Sequence, residues 1–111
     1  MVKNYVPEKG DIVWLDFTPQ LGHEQRGRRP AIVLSKKTYN QKIGLAIFCP
    51  ITSKEKGYPF EVKIAGKKIN GCVLSDQVKS LDWTERNIEY IENTSDEIME
   101  EVLQKFLVLI Q

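Results

Sequence analysis

Arg29-Pro30-Ala31-Ile32-Val33-Leu34-Ser35 decides how the chain begins to fold. Pro30 fixes its own φ and disfavours a helical Arg29, so the apolar residues behind it read as a strand. An unbroken apolar run of this kind is the pattern of a strand covered on both faces. The residues before it are of another character. Gly22-His23-Glu24-Gln25-Arg26-Gly27-Arg28 is the chemically densest stretch, with a carboxylate, an imidazole and guanidinium groups set between glycines that tolerate unusual backbone shapes. The spacing predicts a polar loop from Gln20 to Arg29 at the mouth of the apolar strand.

Upstream, Met1 to Gly10 reads as an irregular lead-in and Ile12-Val13-Trp14-Leu15-Asp16-Phe17 as the first strand, ended by Thr18-Pro19. Downstream, the polar Lys36 to Lys42 suits a short helical turn. Ile43 to Cys49 is the longest apolar strand, and its exit Pro50-Ile51-Thr52-Ser53 leaves Thr52 at a strand end. After a turn at Lys54 to Gly57, Phe60, Val62 and Ile64 alternate with polar residues, the mark of a half-buried strand. Asn70-Gly71 signals a reversal, Cys72 to Ser75 a returning arm, Asp76-Gln77 its open end, and Asn87 to Ile91 a further strand.

From Thr94 the period changes. Thr94-Ser95-Asp96-Glu97 offers a capping box, and Ile98, Met99, Val102, Leu103, Phe106, Leu107 and Ile110 recur at helical spacing. The expected fold is mainly β: one domain over residues 1–111, a small barrel of five to seven antiparallel strands, covered by a C-terminal helix. The apolar ending Leu107-Val108-Leu109-Ile110 points to a second subunit, so a homodimer is expected.

Charge divides the chain. Residues 1–81 carry fourteen Lys or Arg against seven acids, whereas residues 82–101 carry eight acids and only Arg86. A basic body favours an anionic partner, nucleic acid or an acidic protein segment, although solvated charge without a partner fits the same count. Cys49 and Cys72 lie in apolar runs without metal-type spacing, so they read as buried free thiols in a reducing, cytoplasmic compartment. No apolar run reaches membrane-spanning length and no basic-then-apolar leader appears, so no membrane role is expected.

If the polar loop, the end of the third strand and the end of the hairpin meet at one rim, then Glu24, Arg28, Arg29, Thr52, Asp76 and Gln77 converge. Cleaving an RNA phosphodiester without a metal needs a base for the 2′-hydroxyl, a cation for the phosphorane, and an acid for the leaving 5′ oxygen. Glutamate and arginine supply the first two, and His23 is the easier acid if it points inward. Each residue also has a plain reading. Glu24 among arginines can be an exposed ion pair, Arg28-Arg29 a phosphate footprint without chemistry, Thr52 a strand-end hydroxyl serving the backbone, and His23 a surface residue. Trp14, Phe17, Tyr58 and Trp83 either stack unpaired bases or fill the core.

The order of Gly10-Asp11-Ile12-Val13-Trp14-Leu15-Asp16-Phe17, Gly22-His23-Glu24-Gln25 and Arg29-Pro30-Ala31-Ile32-Val33-Leu34-Ser35 resembles the opening of endoribonuclease toxins of the MazF/PemK family. Pro50-Ile51-Thr52-Ser53, Lys56-Gly57-Tyr58-Pro59-Phe60-Glu61-Val62 and Ser75-Asp76-Gln77-Val78-Lys79-Ser80-Leu81-Asp82-Trp83 continue it in family order.

The resemblance implies an SH3-like barrel with a C-terminal helix that dimerises and cuts single-stranded RNA without metal or cofactor. The cut, at an ACA-like triplet by similarity, leaves 2′,3′-cyclic phosphate and 5′-hydroxyl ends and arrests translation. It also implies a MazE-like antitoxin whose acidic disordered tail covers the basic groove. By position Glu24 resembles the catalytic carboxylate, Arg29 the phosphate-serving arginine and Thr52 the orienting hydroxyl. His23, Gln25, Arg26, Arg28, Asp76 and Gln77 form the expected RNA-binding set.

Two departures matter. Close relatives tend to have His where Arg28 stands, and another branch has an arginine where Leu74 stands, so the Glu24, Arg29 and Thr52 arrangement is the one implied here. A related barrel family poisons DNA gyrase through its terminal helix, which makes a non-catalytic, protein-binding toxin the alternative, with a plain nucleic-acid-binding module as a third reading. Leu107 to Gln111 carries no aromatic and no charge, so the polar rim favours the enzyme.

Overall fold

The computed structural model describes residues 4–17 and 27–111. The elements run β1 (Asp11–Phe17), β2 (Gly27–Val33), α1 (Lys37–Ile43), β3 (Leu45–Thr52), β4 (Glu61–Ala65), β5 (Asn70–Leu74), β6 (Lys79–Asp82), a 3-10 turn (Trp83–Glu85), β7 (Glu89–Asn93) and α2 (Asp96–Leu107). All paired strands are antiparallel, in the order β4-β5-β3-β2-β1-β7, with β6 alongside β3. The architecture is the mainly β one expected, seven strands with a C-terminal helix.

The apolar run of β2 is explained by two cores, one on each face of the sheet. Ile32 joins Ile12, Cys49, Ile51, Val62, Ile64, Val73 and Ile91 in one cluster, which α2 covers with Met99 and Val102. Ala31 and Val33 join Val13, Leu15, Phe17, Ala46, Phe48 and Ile88 in the other, which Tyr5, Leu81 and Trp83 cover. Successive residues point to opposite faces, so a strand sandwiched between two cores has no position for a polar side chain.

β3 is the strand around which the rest is arranged. Phe48, Cys49 and Pro50 pair with β2 on one edge, while the other edge is shared: Leu45–Phe48 take β6, and Ile51 and Thr52 take β5. The sheet's two outer strands are then tied together by one side chain. Glu92 of β7 accepts the backbone N–H groups of Lys67 (3.1 Å), Lys68 (3.0 Å) and Ile69 (2.9 Å) from the β4–β5 turn.

Several boundaries differ from the sequence reading. Gly27, Arg28 and Arg29 lie within β2, not in the loop expected from Gln20 to Arg29, because Phe17, Asp16 and Leu15 of β1 pair with them. Ile43 closes α1, and Gly44, at φ 80°, turns the chain into β3. Asn70-Gly71 opens β5 and is not the turn, which is made by residues 66–69 and closed by Gly66 N–H to Ile69 O at 2.8 Å. Residues 79–82 form a strand that hydropathy alone did not indicate, supported by its pairing with β3. The helix cap is Ser95, whose side chain accepts the Ile98 N–H; Ile98 stands where a capping box needs Glu or Gln, so the box expected from Thr94 and Glu97 does not form.

Candidate functional site

The register of the central strands brings two of the expected residues to one edge of the sheet. Ala31 pairs with Pro50 and Ile32 with Cys49; continued by two residues on the same face, this register sets Arg29 across from Thr52. Arg29 is half-buried beside Leu15, and Thr52 is 7% exposed. The Thr52 hydroxyl oxygen accepts the Lys54 N–H at 3.2 Å, which fixes its position and leaves its own proton to donate. Continued in this way, the register brings Arg29, near the start of β2, and Thr52, at the end of β3, to the same level of the sheet.

Asp76 and Gln77 sit elsewhere along β3. The chain leaves β5 by a turn closed by Gln77 N–H to Leu74 O at 3.1 Å, and the Cys49 thiol is pushed up to about 12 by burial first and by the Asp76 charge second. β5 pairs Cys72 with Thr52 and Val73 with Ile51, so the chain runs back along β3 and Asp76 follows β5 away from the strand end that carries Thr52. Tyr58 reaches this turn from the β3–β4 connection and donates its hydroxyl to Asp76 Oδ2. The other carboxylate oxygen, Oδ1, and the neighbouring Ser75 hydroxyl are buried, with no hydrogen-bond partner among the described residues.

That Tyr58 arrives there depends on Glu61, whose carboxylate accepts the N–H groups of Lys56 (3.0 Å), Gly57 (3.1 Å) and Tyr58 (3.1 Å). Glu55, Glu61 and Cys72 also bring possible metal-ligand atoms within 4.8 Å of one another, but Glu61 is already committed to this loop. Of the aromatic residues weighed for stacking, Phe17 is core, Trp14 packs on the α2-covered cluster, and Trp83 packs on the other with its indole N–H on Asn40 O at 3.1 Å. Tyr58, 42% exposed, is the one at the surface.

Arg28 points away from Arg29 and is held within the protein, 3.0 Å from Asp16 Oδ1 and 3.2 Å from Glu89 Oε1. Sequence reasoning passed over Asp16 and Glu61 and weighed Tyr58 only as a stacking or core aromatic. An acid in the otherwise apolar first strand was a legible signal for Asp16; the other two needed the fold. Glu24, together with His23, Gln25 and Arg26, lies outside the described residues.

Residues 8–110 match the family described as PemK-like, MazF-like toxin of type II toxin-antitoxin system. The chain is 44% identical to the endoribonuclease toxin MazF of Escherichia coli (strain K12) over 110 residues, 99% of each chain. Among solved structures it is similar to MazF from Deinococcus radiodurans, with TM-score 0.92 and 48% identity over 96% of this chain and 98% of that one. It is also similar to a MazE-MazF structure from the same organism, with TM-score 0.85 and 46% identity over 96% of this chain and 97% of that one.

Proposed function

This chain belongs to the PemK-like, MazF-like toxins of type II toxin–antitoxin systems and is an endoribonuclease of that family, and we propose that it cuts single-stranded RNA with Glu24, Arg29 and Thr52 as its catalytic groups. What supports this reading is the β2–β3 register, which, continued two residues past the Ala31–Pro50 pair, brings Arg29 to the level of Thr52. Glu24 takes the proton of the 2′-hydroxyl, whose oxygen attacks the adjacent phosphorus. The Arg29 guanidinium holds the charge that grows on the phosphorane oxygens, and the Thr52 hydroxyl donates to the phosphate and keeps it in line. Expulsion of the 5′ oxygen, protonated at the site, leaves a 2′,3′-cyclic phosphate and a 5′-hydroxyl end, with no metal in any step.

The bases flanking the cut are read farther along β3. Tyr58 donates to one oxygen of Asp76 and the other is buried, so this turn forms a fixed polar flank; an ACA-like triplet is the motif that family likeness implies. Gln77, His23, Gln25, Arg26 and Arg28 complete the RNA-binding set expected from the sequence. The protein acts as a homodimer in the cytoplasm, where the free, buried thiols of Cys49 and Cys72 stay reduced, and arrests translation until a MazE-like antitoxin lays its acidic disordered tail across the same surface. No described helix is long and apolar enough to cross a membrane.

The test is cleavage of a single-stranded RNA in EDTA, followed by sequencing of the 5′-hydroxyl ends. Arg29→Ala and Glu24→Ala should each lower the rate by about two orders of magnitude or more. Full activity in both variants would refute the assignment.

A further inference from the structure

Arg28 and Arg29 are neighbours on one strand and therefore serve opposite faces. Arg28 extends its guanidinium to Asp16, its register partner on β1, at 3.0 Å, and to Glu89 on β7 at 3.2 Å, spanning three strands with one planar group. Asp16 is itself fixed: its second oxygen accepts the Asn87 side-chain N–H at 2.8 Å, its carbonyl accepts from the Arg86 guanidinium at 3.1 Å, and its N–H donates to Arg86 O at 3.0 Å. The Asn87 hydrogen bond, and after it the bond from Arg28, hold the Asp16 carboxyl below the usual carboxylate range, so it stays ionised at neutral pH.

An ion pair this exposed adds little to stability. Its geometric effect is larger, because a guanidinium fork that meets a fixed carboxylate on β1 and a second carboxylate on β7 sets the strand carrying it in one orientation.

We infer that Arg28 is a positioning residue: clamped by Asp16 and Glu89, it fixes the start of β2 and so the aim of Arg29, and it does not serve as a phosphate ligand. This rests on the ribonuclease reading above and assigns Arg28 a different task from the RNA contact expected from its charge.

The two roles separate in a comparison of wild type, Arg28→Ala, Asp16→Ala and the double variant, each assayed for single-turnover cleavage at saturating RNA and for RNA affinity against salt. A positioning role requires that Arg28→Ala and Asp16→Ala each lower the cleavage rate by roughly tenfold to a hundredfold, the scale of a misaimed catalytic group. The salt dependence of RNA binding should be unchanged, and the double variant should be no slower than the worse single one. If Arg28 binds phosphate, Arg28→Ala reduces the salt slope by about 1 and weakens binding, whereas Asp16→Ala spares both binding and rate; that result overturns the inference. A wild type that cuts no RNA overturns the ribonuclease reading and this inference with it.

Discussion

Gly71 and Thr52 meet backbone to backbone: a Cβ on Gly71 would collide with the Thr52 carbonyl oxygen, and no flexible side chain is there to give way. The absent side chain is what lets β5 close on the end of β3 and hold Thr52 in place. Gly71→Ala should therefore cost about 1–3 kcal/mol, the range of an overpacked interior, and lower the melting temperature by at least about 4 °C. Cleavage by the folded fraction should fall as well if Thr52 serves the reaction as proposed, because the strand must shift at its hydroxyl. A variant with wild-type melting and wild-type rate would contradict this account.

Glu92 makes a second prediction, about acid. Its burial works to raise the carboxyl's pKa, but the N–H groups of Lys68, Ile69 and Lys67 and the Lys68 charge outweigh that and lower it from the ordinary 4.5. A lowered folded pKa stabilises fully above the unfolded value, and that contribution is lost as pH falls through the folded one. Urea denaturation from about pH 7 down to about pH 3 should show wild type losing stability through this window. Glu92→Gln should be less stable at neutral pH and flatter on the acid side. Parallel curves for the two proteins would remove the carboxylate from the closure of the sheet.

The end of the chain makes the third. Val108 is 71% exposed and Ile110 63%, a contiguous apolar stretch whose burial against a second copy would contribute about 1.5–3 kcal/mol per large side chain. Light scattering at micromolar concentration should give twice the 12.8 kDa of one chain, and Ile110→Asp should weaken the dimer by at least about tenfold. A wild-type monomer at that concentration would refute the dimer.

The elements easiest to read were those whose hydropathy has a period. Val62 and Ile64 alternate into the core as expected, and α2 follows its apolar stripe from Ile98 to Leu107. Those misread are held by partners distant in sequence. Residues 27–29 look like loop because they are polar, yet β1 supplies their hydrogen bonds; residues 79–82 look unstructured until β3 is placed beside them. For the site, the residue types were visible, and so was the strand-end position of Thr52. The distance that separates Asp76 from Thr52 was not, since it follows from β5 running back along β3.

By itself, then, the sequence determined that Ala31 to Leu34 would be covered on both faces, that a helix would close the fold, and that a carboxylate, guanidinium groups and a hydroxyl were present for phosphodiester chemistry. Local period and side-chain chemistry suffice for that. Only the tertiary structure decided where each arginine sits: the register brings Arg29 to the level of Thr52, while Arg28 meets Asp16 and Glu89. Adjacent residues on a strand point to opposite faces, and the partners on those faces come from strands far apart in the chain.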